Sequence, residues 1–209
     1  MRESTPTVYV VDDDPDVLKA IERLLESTGL SVSTFSSPQQ FLERYDRNAP
    51  GCLVLDLALP GLSGLDVQRL LEQQGSVLPI VFLTGRGDIA TSVQAMKRGA
   101  ADFLTKPIDD TALIAAVHEA LATDQAHRSA RLERERLAEC LAALTERERQ
   151  VLERVVAGRR NKEIAAELGT TEKTIKFHRG NLMRKMGVHV VADLVKLAER
   201  AGVGSTPGT

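Results

Sequence analysis

Residues 52–64, CLVLDLALPGLSG, decide how the front half of this chain is read. Leu53, Val54 and Leu55 form a short apolar run without helical periodicity, which predicts a strand buried on both faces. Asp56 ends that run, and Pro60-Gly61 and Ser63-Gly64 then force turns. An acid at the carboxyl end of a buried parallel strand lies where open α/β sheets place their ligands. Alone, such an acid can equally cap the next element or bind loop amides. Asp56 gains weight because other strands of the chain end in the same way.

Upstream, the β-branched run at 8–11 ends in Asp12-Asp13-Asp14-Pro15, where Asp14 with Pro15 fits an N-cap and first helical position. Val17, Leu18, Ile21, Leu24 and Leu25 repeat at helical spacing up to Gly29. Residues 31–35 alternate as a strand, and 38–45 read as a short helix. Downstream of Asp56, a helix over 65–71 turns Leu65, Leu70 and Leu71 inward. A buried strand at 79–84 ends in Thr84 before Gly85 and Gly87, and 88–98 is a helix stopped by Gly99. The fifth strand, 102–105, ends in Lys106-Pro107, and a helix opens near Asp109. Five strand–helix units with right-handed crossovers predict a doubly wound, five-stranded parallel sheet covered on both faces.

In such a sheet Asp12, Asp13, Asp56, Thr84 and Lys106 share one edge. Clustered carboxylates repel unless a cation lies among them, and hard oxygen ligands with open positions suit Mg²⁺. Lys106 offers a point charge for an anion and Thr84 a hydroxyl donor. A carboxylate nucleophile beside Mg²⁺ and a lysine is a site for forming an acyl phosphate. The structural alternative is an ion-pair cluster with no chemistry, a poor use of buried charge.

The segments VVDDD at 10–14, LVLDLALPGLSG at 53–64, FLTG at 82–85 and DFLTKP at 102–107 resemble the receiver domain of two-component response regulators, over about 8–120. The resemblance implies a flavodoxin-like fold and phosphoryl transfer to Asp56 from a phosphohistidine on a sensor histidine kinase. It further implies direct Mg²⁺ ligation by Asp13, Asp56 and the Ala58 carbonyl, with Asp12 acting through water. Lys106 and Thr84 would hold the phosphoryl oxygens, and Phe103 matches the aromatic switch position. Ala58 departs from the larger or polar residue frequent there, so the lifetime of the phosphoryl group stays open.

Composition sets wider bounds. The 209 residues are 43% hydrophobic and 27% charged, ordinary for a globular protein of one or two domains. No apolar run approaches the length of a membrane span, and MRESTPT does not read as a signal peptide. Cys52 and Cys140 have no metal-ligand spacing and read as thiols in a reducing cytoplasm. The net charge of −2 hides an asymmetry: residues 1–123 carry 10 Lys and Arg against 17 Asp and Glu, and residues 124–209 carry 17 against 12. An acidic front and a basic rear predict two domains with different partners, nucleic acid being the first candidate for the second.

Between 108 and 157 there is neither Gly nor Pro, and a largely solvated helix is expected to continue from the last helix of the first domain. We place the first domain at 1–123, a helical linker at 124–143, an all-α domain of four helices at 144–203 and a disordered tail at 204–209. Thr145 and Glu148 form a capping box opening the first of these helices. The second begins at Asn161 and stops at Gly169, the third spans 172–186 after Thr170-Thr171, and the fourth spans 190–201. Two helices joined by a tight Gly turn, the second basic, are the helix-turn-helix arrangement. On the second of that pair, Ile175, Leu182 and Met186 share one face, while Lys173, Lys176, Phe177, Arg179 and Gly180 lie toward the other. Gly180 costs a helix interior up to about 1 kcal/mol relative to Ala, which a close approach to DNA or to a neighbouring helix would explain. His178 reads as a core or capping histidine.

The string LTERERQVLERVVAGRRNKEIAAELGTTEKTIKFHRGNLMRKMGV resembles the LuxR-type helix-turn-helix, over about 144–190. With a receiver in front, the chain is similar to the NarL/FixJ response regulators, and HRGNLMRKM brings it nearer the FixJ side. By that resemblance Lys173, Lys176, Phe177, Gly180 and Arg184 face double-stranded promoter DNA, Arg179 lies near base edges or phosphates, and Asn161 and Lys162 touch the backbone. Phosphorylation would favour a homodimer through the 88–104 surface. The expected function is a phosphorylation-controlled, cytoplasmic, DNA-binding transcription regulator without enzyme turnover. The alternatives are a DNA-binding regulator whose receiver ignores phosphate and a Mg²⁺-dependent phosphatase, the latter disfavoured by the absence of a separate general acid or substrate cap. A LuxR-type ligand sensor is disfavoured because aromatic residues make up only 3% of the chain, with no Trp.

Overall fold

A computed structural model describes residues 5–85 and 98–203. Except for Arg98, the helix expected over 88–98 lies outside these residues, as do Gly87 and the expected tail. The chain divides into two units, Met1–Arg128 and Ser129–Thr209.

In the first unit the strands β1 (Thr7–Val11), β2 (Ser31–Phe35), β3 (Gly51–Asp56), β4 (Ile80–Thr84) and β5 (Asp102–Thr105) form one sheet in the order β2-β1-β3-β4-β5. All pairings are parallel, as the strand–helix alternation predicts. Side chains alternate across the sheet and feed two cores. Tyr9, Val11, Leu53, Leu55, Ile80 and Phe82 pack with Phe41 of α2 (Pro38–Arg44) and with Val67 and Leu71 of α3 (Gly64–Gln73). On the opposite face, Val8, Val10, Cys52, Val54, Val81 and Leu83 pack with Leu18, Ile21 and Leu25 of α1 (Pro15–Ser27). Leu113, Ala116, Val117 and Ala120 of α4 (Asp110–Ala142) join that second core. Leu65 and Leu70, expected inward on α3, are only half-buried; Val67 and Leu71 take the core side instead.

Two glycines admit no side chain. A Cβ on Gly51 would lie 2.1 Å from the Thr7 carbonyl oxygen, and one on Gly64 would lie 2.7 Å from that of Asp56. Gly64 thus seats the start of α3 against the end of β3, and the Ser63 hydroxyl caps that helix by accepting from the Asp66 amide.

Past residue 123, α4 stays tied to the sheet for another turn. Asp124, 1% exposed, accepts from the Gly51 amide at 3.0 Å and from Arg128 Nε at 2.7 Å. Arg128 in turn donates to the carbonyls of Asn48 and Ala49. Beyond it, most residues through 136 are exposed, as a solvated helix requires, and Arg131 pairs with Glu135 at 2.7 Å.

The second unit holds α5 (Glu146–Val156), α6 (Asn161–Glu167), α7 (Glu172–Lys185) and α8 (Val191–Arg200). Val151, Leu152, Val155, Ile164, Ala165, Ile175, Leu182, Met186, Leu194 and Ala198 form its core, with Leu137, Cys140 and Leu141 of α4 against it. The expected capping box is present: Glu148 Oε2 accepts from the Thr145 amide at 2.9 Å, and the Thr145 hydroxyl accepts from the Glu148 amide. Gly169 turns the chain between α6 and α7 with φ +60°. Val191, expected among the apolar positions of the last helix, faces outward.

Candidate functional site

Register alone brings the expected residues of the first unit together. Val11 pairs with Leu55, so Asp12 continues β1 beside Asp56, and Asp56 itself pairs with Leu83 one step before Thr84. Thr84 pairs with Thr105, which places Lys106 one step past the same edge. The strand order changes direction between β1 and β3, and Asp12 and Asp56 stand at the carboxyl ends of those two strands. That is the crevice in which doubly wound sheets bind ligands.

Asp12, Asp13 and Asp56 each offer a carboxylate oxygen within 4.8 Å of the others; Asp12 and Asp56 are buried and Asp13 is exposed. Three convergent hard oxygens with one side open to solvent fit a divalent cation that keeps some of its waters. Lys106 Nζ donates to Asp12 Oδ2 and to Asp56 Oδ2, both at 2.7 Å. Burial opposes the ammonium charge, but the hydrogen bonds to Asp12 and Asp56 outweigh it and hold the Lys106 pKa above the ordinary lysine value.

Backbone amides fix the remaining oxygens. Asp12 Oδ1 accepts from the Asp14 amide and Asp56 Oδ1 from the Ala58 amide, each at 3.0 Å. The Ala58 N–H is thus a partner of Asp56 that the sequence reading, which weighed only the Ala58 carbonyl, does not foresee. Asp14 turns away from the cluster and caps α1, accepting from Asp16 and Val17 amides. The buried Thr84 hydroxyl donates to the Gly85 carbonyl at 3.1 Å. Phe103 is half-buried against the core that contains Phe82.

In the second unit, the exposed residues of α7 beyond its first position are Lys173, Lys176, Phe177, Gly180 and Arg184. Their spacing is one helical stripe, carrying three cations. Arg179, expected on that face, is half-buried, and its Nη1 donates to Asn161 Oδ1 at 2.6 Å. The guanidinium thereby ties α7 to α6 across the Gly169 turn. Lys162 is exposed beside Asn161. Apart from its chain neighbours and the backbone of its own helix, no described heavy atom lies within 4 Å of a Cβ built on Gly180, which removes the neighbouring-helix explanation for that glycine. Behind the stripe, Lys185 Nζ reaches buried Glu148 Oε2 at 2.7 Å and the Ala143 carbonyl at 2.9 Å. Burial works against ionised Glu148, yet Lys185 and the Thr145 amide outweigh it and lower its pKa below the ordinary value.

Among the described residues, no helix is long and apolar enough to cross a membrane. Residues 8–118 match the family model of the response regulator receiver domain, and residues 142–198 match that of the bacterial regulatory proteins of the luxR family. The chain is 45% identical over 200 residues to the response regulator protein TodT of Pseudomonas putida, a match covering 96% of this chain and 88% of TodT. It is 42% identical over 203 residues to the transcriptional regulatory protein FixJ of Azorhizobium caulinodans, covering 97% and 96% of the two chains. Among solved structures it is similar to the response regulator StyR, with a TM-score of 0.88 at 44% identity over 94% of this chain and 100% of that one.

Proposed function

We propose that this chain, which belongs to the transcriptional response regulators that join a receiver domain to a LuxR-type DNA-binding domain, carries its signal as a phosphoryl group on Asp56. The observation that supports this most is the placing of Lys106 Nζ at 2.7 Å from Asp56 Oδ2, within a cluster of three convergent carboxylates. Asp13, Asp56 and the Ala58 carbonyl would hold Mg²⁺ directly, with Asp12 acting through water. When bound, Mg²⁺ supplies the positive charge that lets an anionic phosphate approach an anionic nucleophile.

An Asp56 carboxylate oxygen attacks the phosphorus of a phosphohistidine on a sensor histidine kinase. The P–N bond breaks, the imidazole leaves with a proton, and an acyl phosphate remains on Asp56. Lys106 releases Asp56 Oδ2 and pairs with a phosphoryl oxygen. Thr84 turns its hydroxyl from the Gly85 carbonyl to another, and Phe103 moves inward behind it. The 88–104 surface, of which 98–104 are among the described residues, then favours a homodimer.

The chain works in the cytoplasm as a regulator without turnover of a substrate. Lys173, Lys176, Phe177, Gly180 and Arg184 face the major groove of promoter DNA, while Asn161 and Lys162 meet the phosphate backbone. Arg179 keeps its hydrogen bond to Asn161 and so places that residue for its phosphate. Labelling by an acyl phosphate with Mg²⁺, followed by intact mass, tests the assignment of Asp56. The wild type gains one phosphoryl group and Asp56→Asn gains none; equal labelling of the variant would move the acceptor elsewhere.

A further inference from the structure

Two features of α7 lack an explanation within the protein. Phe177 is 65% exposed, more than any other large apolar side chain among the described residues, yet its exposed neighbours on the stripe are Lys173, Lys176, Gly180 and Arg184. Gly180 sits in the interior of a 14-residue helix at a position with no positive φ and no nearby atom, where alanine would make a better helix.

The two features belong together geometrically. Residues three apart are neighbours on a helix surface, and helical side chains lean back over the turn that precedes them. A Cβ at 180 would meet no atom of the ring at 177 within 4 Å, so glycine keeps the helix surface next to the ring open. The His178 ring centroid lies 5.8 Å from that of Phe177, with the planes at 68°. The result is an apolar face in a basic stripe, with open space beside it.

Phosphates attract the three cations of the stripe but give a phenyl ring nothing. In the major groove of an intact duplex the apolar group on offer is the 5-methyl of thymine. We infer that Phe177 and the gap left by Gly180 form a slot for a thymine 5-methyl group, making Phe177 a specificity-determining residue. This rests on the reading of α7 as the helix that enters the groove.

The test uses the full-length chain with acyl phosphate and Mg²⁺ at a fixed salt concentration, and a duplex selected from random sequence. Each thymine of that duplex is replaced in turn by uracil, which deletes only the methyl. At one position per half-site, uracil weakens the wild type about fourfold, the value of burying one methyl group at about 0.8 kcal/mol. Phe177→Ala binds the thymine duplex about fourfold more weakly and no longer distinguishes uracil, with an unchanged melting temperature. Gly180→Ala melts higher and still binds the thymine duplex more weakly, because its methyl enters the slot. The slot is overturned if uracil is harmless to the wild type everywhere, or if either variant keeps the wild-type discrimination. Failure of the wild type to select any duplex removes the DNA-binding reading itself, and this inference with it.

Discussion

Lys106 Nζ lies 2.7 Å from Asp56 Oδ2 although 50 residues separate the two in the chain. The same nitrogen binds Asp12 Oδ2 at 2.7 Å, so one ammonium is shared by two carboxylates whose side chains are 1% and 7% exposed. Removing it leaves those charges buried and unpaired. Lys106→Met is expected to lower stability by about 1–3 kcal/mol in the presence of a chelator, the lower part of that range being favoured because Lys106 retains 26% of its side-chain exposure. Mg²⁺ should return much of the loss, since it supplies positive charge to the same oxygens. Urea unfolding with chelator and with Mg²⁺ measures both; a variant insensitive to Mg²⁺ would speak against ligation by this cluster.

Gly64 is the packing counterpart of that chemistry. A Cβ there would meet the Asp56 carbonyl oxygen at 2.7 Å and Leu57 Cα at 3.0 Å, both backbone atoms that yield only if β3 or α3 moves. Gly64→Ala should destabilise the chain by about 1–3 kcal/mol. It should also slow labelling of Asp56, because the strand end that carries the acceptor shifts. Denaturation midpoints and labelling rates of the variant check the two effects separately.

Glu148 gives the second unit a dependence on acid. Its pKa in the folded chain is lowered from the ordinary 4.5, since Lys185 and the Thr145 amide overcome the penalty of burial. A lowered folded pKa contributes stability that is fully present above the unfolded value and is lost as pH falls through the folded one. Glu148→Gln should therefore cost about 1–3 kcal/mol near pH 7. The gap to the wild type should close as the pH drops below the ordinary carboxylate value. Thermal melts from neutral to acid pH read this directly; a gap that is constant with pH would mean that Glu148 acts through packing alone.

The sheet and its edge were open to reading because their signals are local. Strands β1, β3 and β4 are short, largely apolar runs that end in or run into a polar residue, and parallel pairing brings those ends to one edge. Asp124 was not open to reading in that way. It sits in a helix interior without Gly or Pro, and its partners are the Gly51 amide, 73 residues away, and an arginine one turn on. Periodicity cannot report a bond to a distant backbone amide, so the contacts of Asp124 and Arg128 are visible only in the coordinates. The same holds for the Lys185–Glu148 pair, 37 residues apart, where the capping box was visible and its buried cation was not. On α7 the sequence marked the basic face, but only coordinates separate Arg179, tied to Asn161, from the exposed stripe.

That tie has its own consequence. If Arg179 braces Asn161, the two residues act as a unit, and their substitutions should not add. Arg179→Ala, Asn161→Ala and the double variant should show a coupling of about 0.5–1.5 kcal/mol in unfolding free energy. DNA affinity should fall by a similar factor in each single variant and little further in the double. Strict additivity in stability would mean that the 2.6 Å hydrogen bond contributes nothing in solution.

The proposed function requires that the state of Asp56 govern the affinity of α7 for DNA. The most direct measurement is operator affinity of the full-length chain at one salt concentration, with and without acyl phosphate and Mg²⁺, for the wild type and for Asp56→Asn. Salt must be held fixed because phosphate contacts make affinity fall steeply with it. The account predicts that phosphorylation tightens wild-type binding by about tenfold or more, within the usual range of coupling between two sites, and leaves Asp56→Asn unchanged. Equal wild-type affinity in both conditions, with Asp56 shown to be phosphorylated, would contradict it.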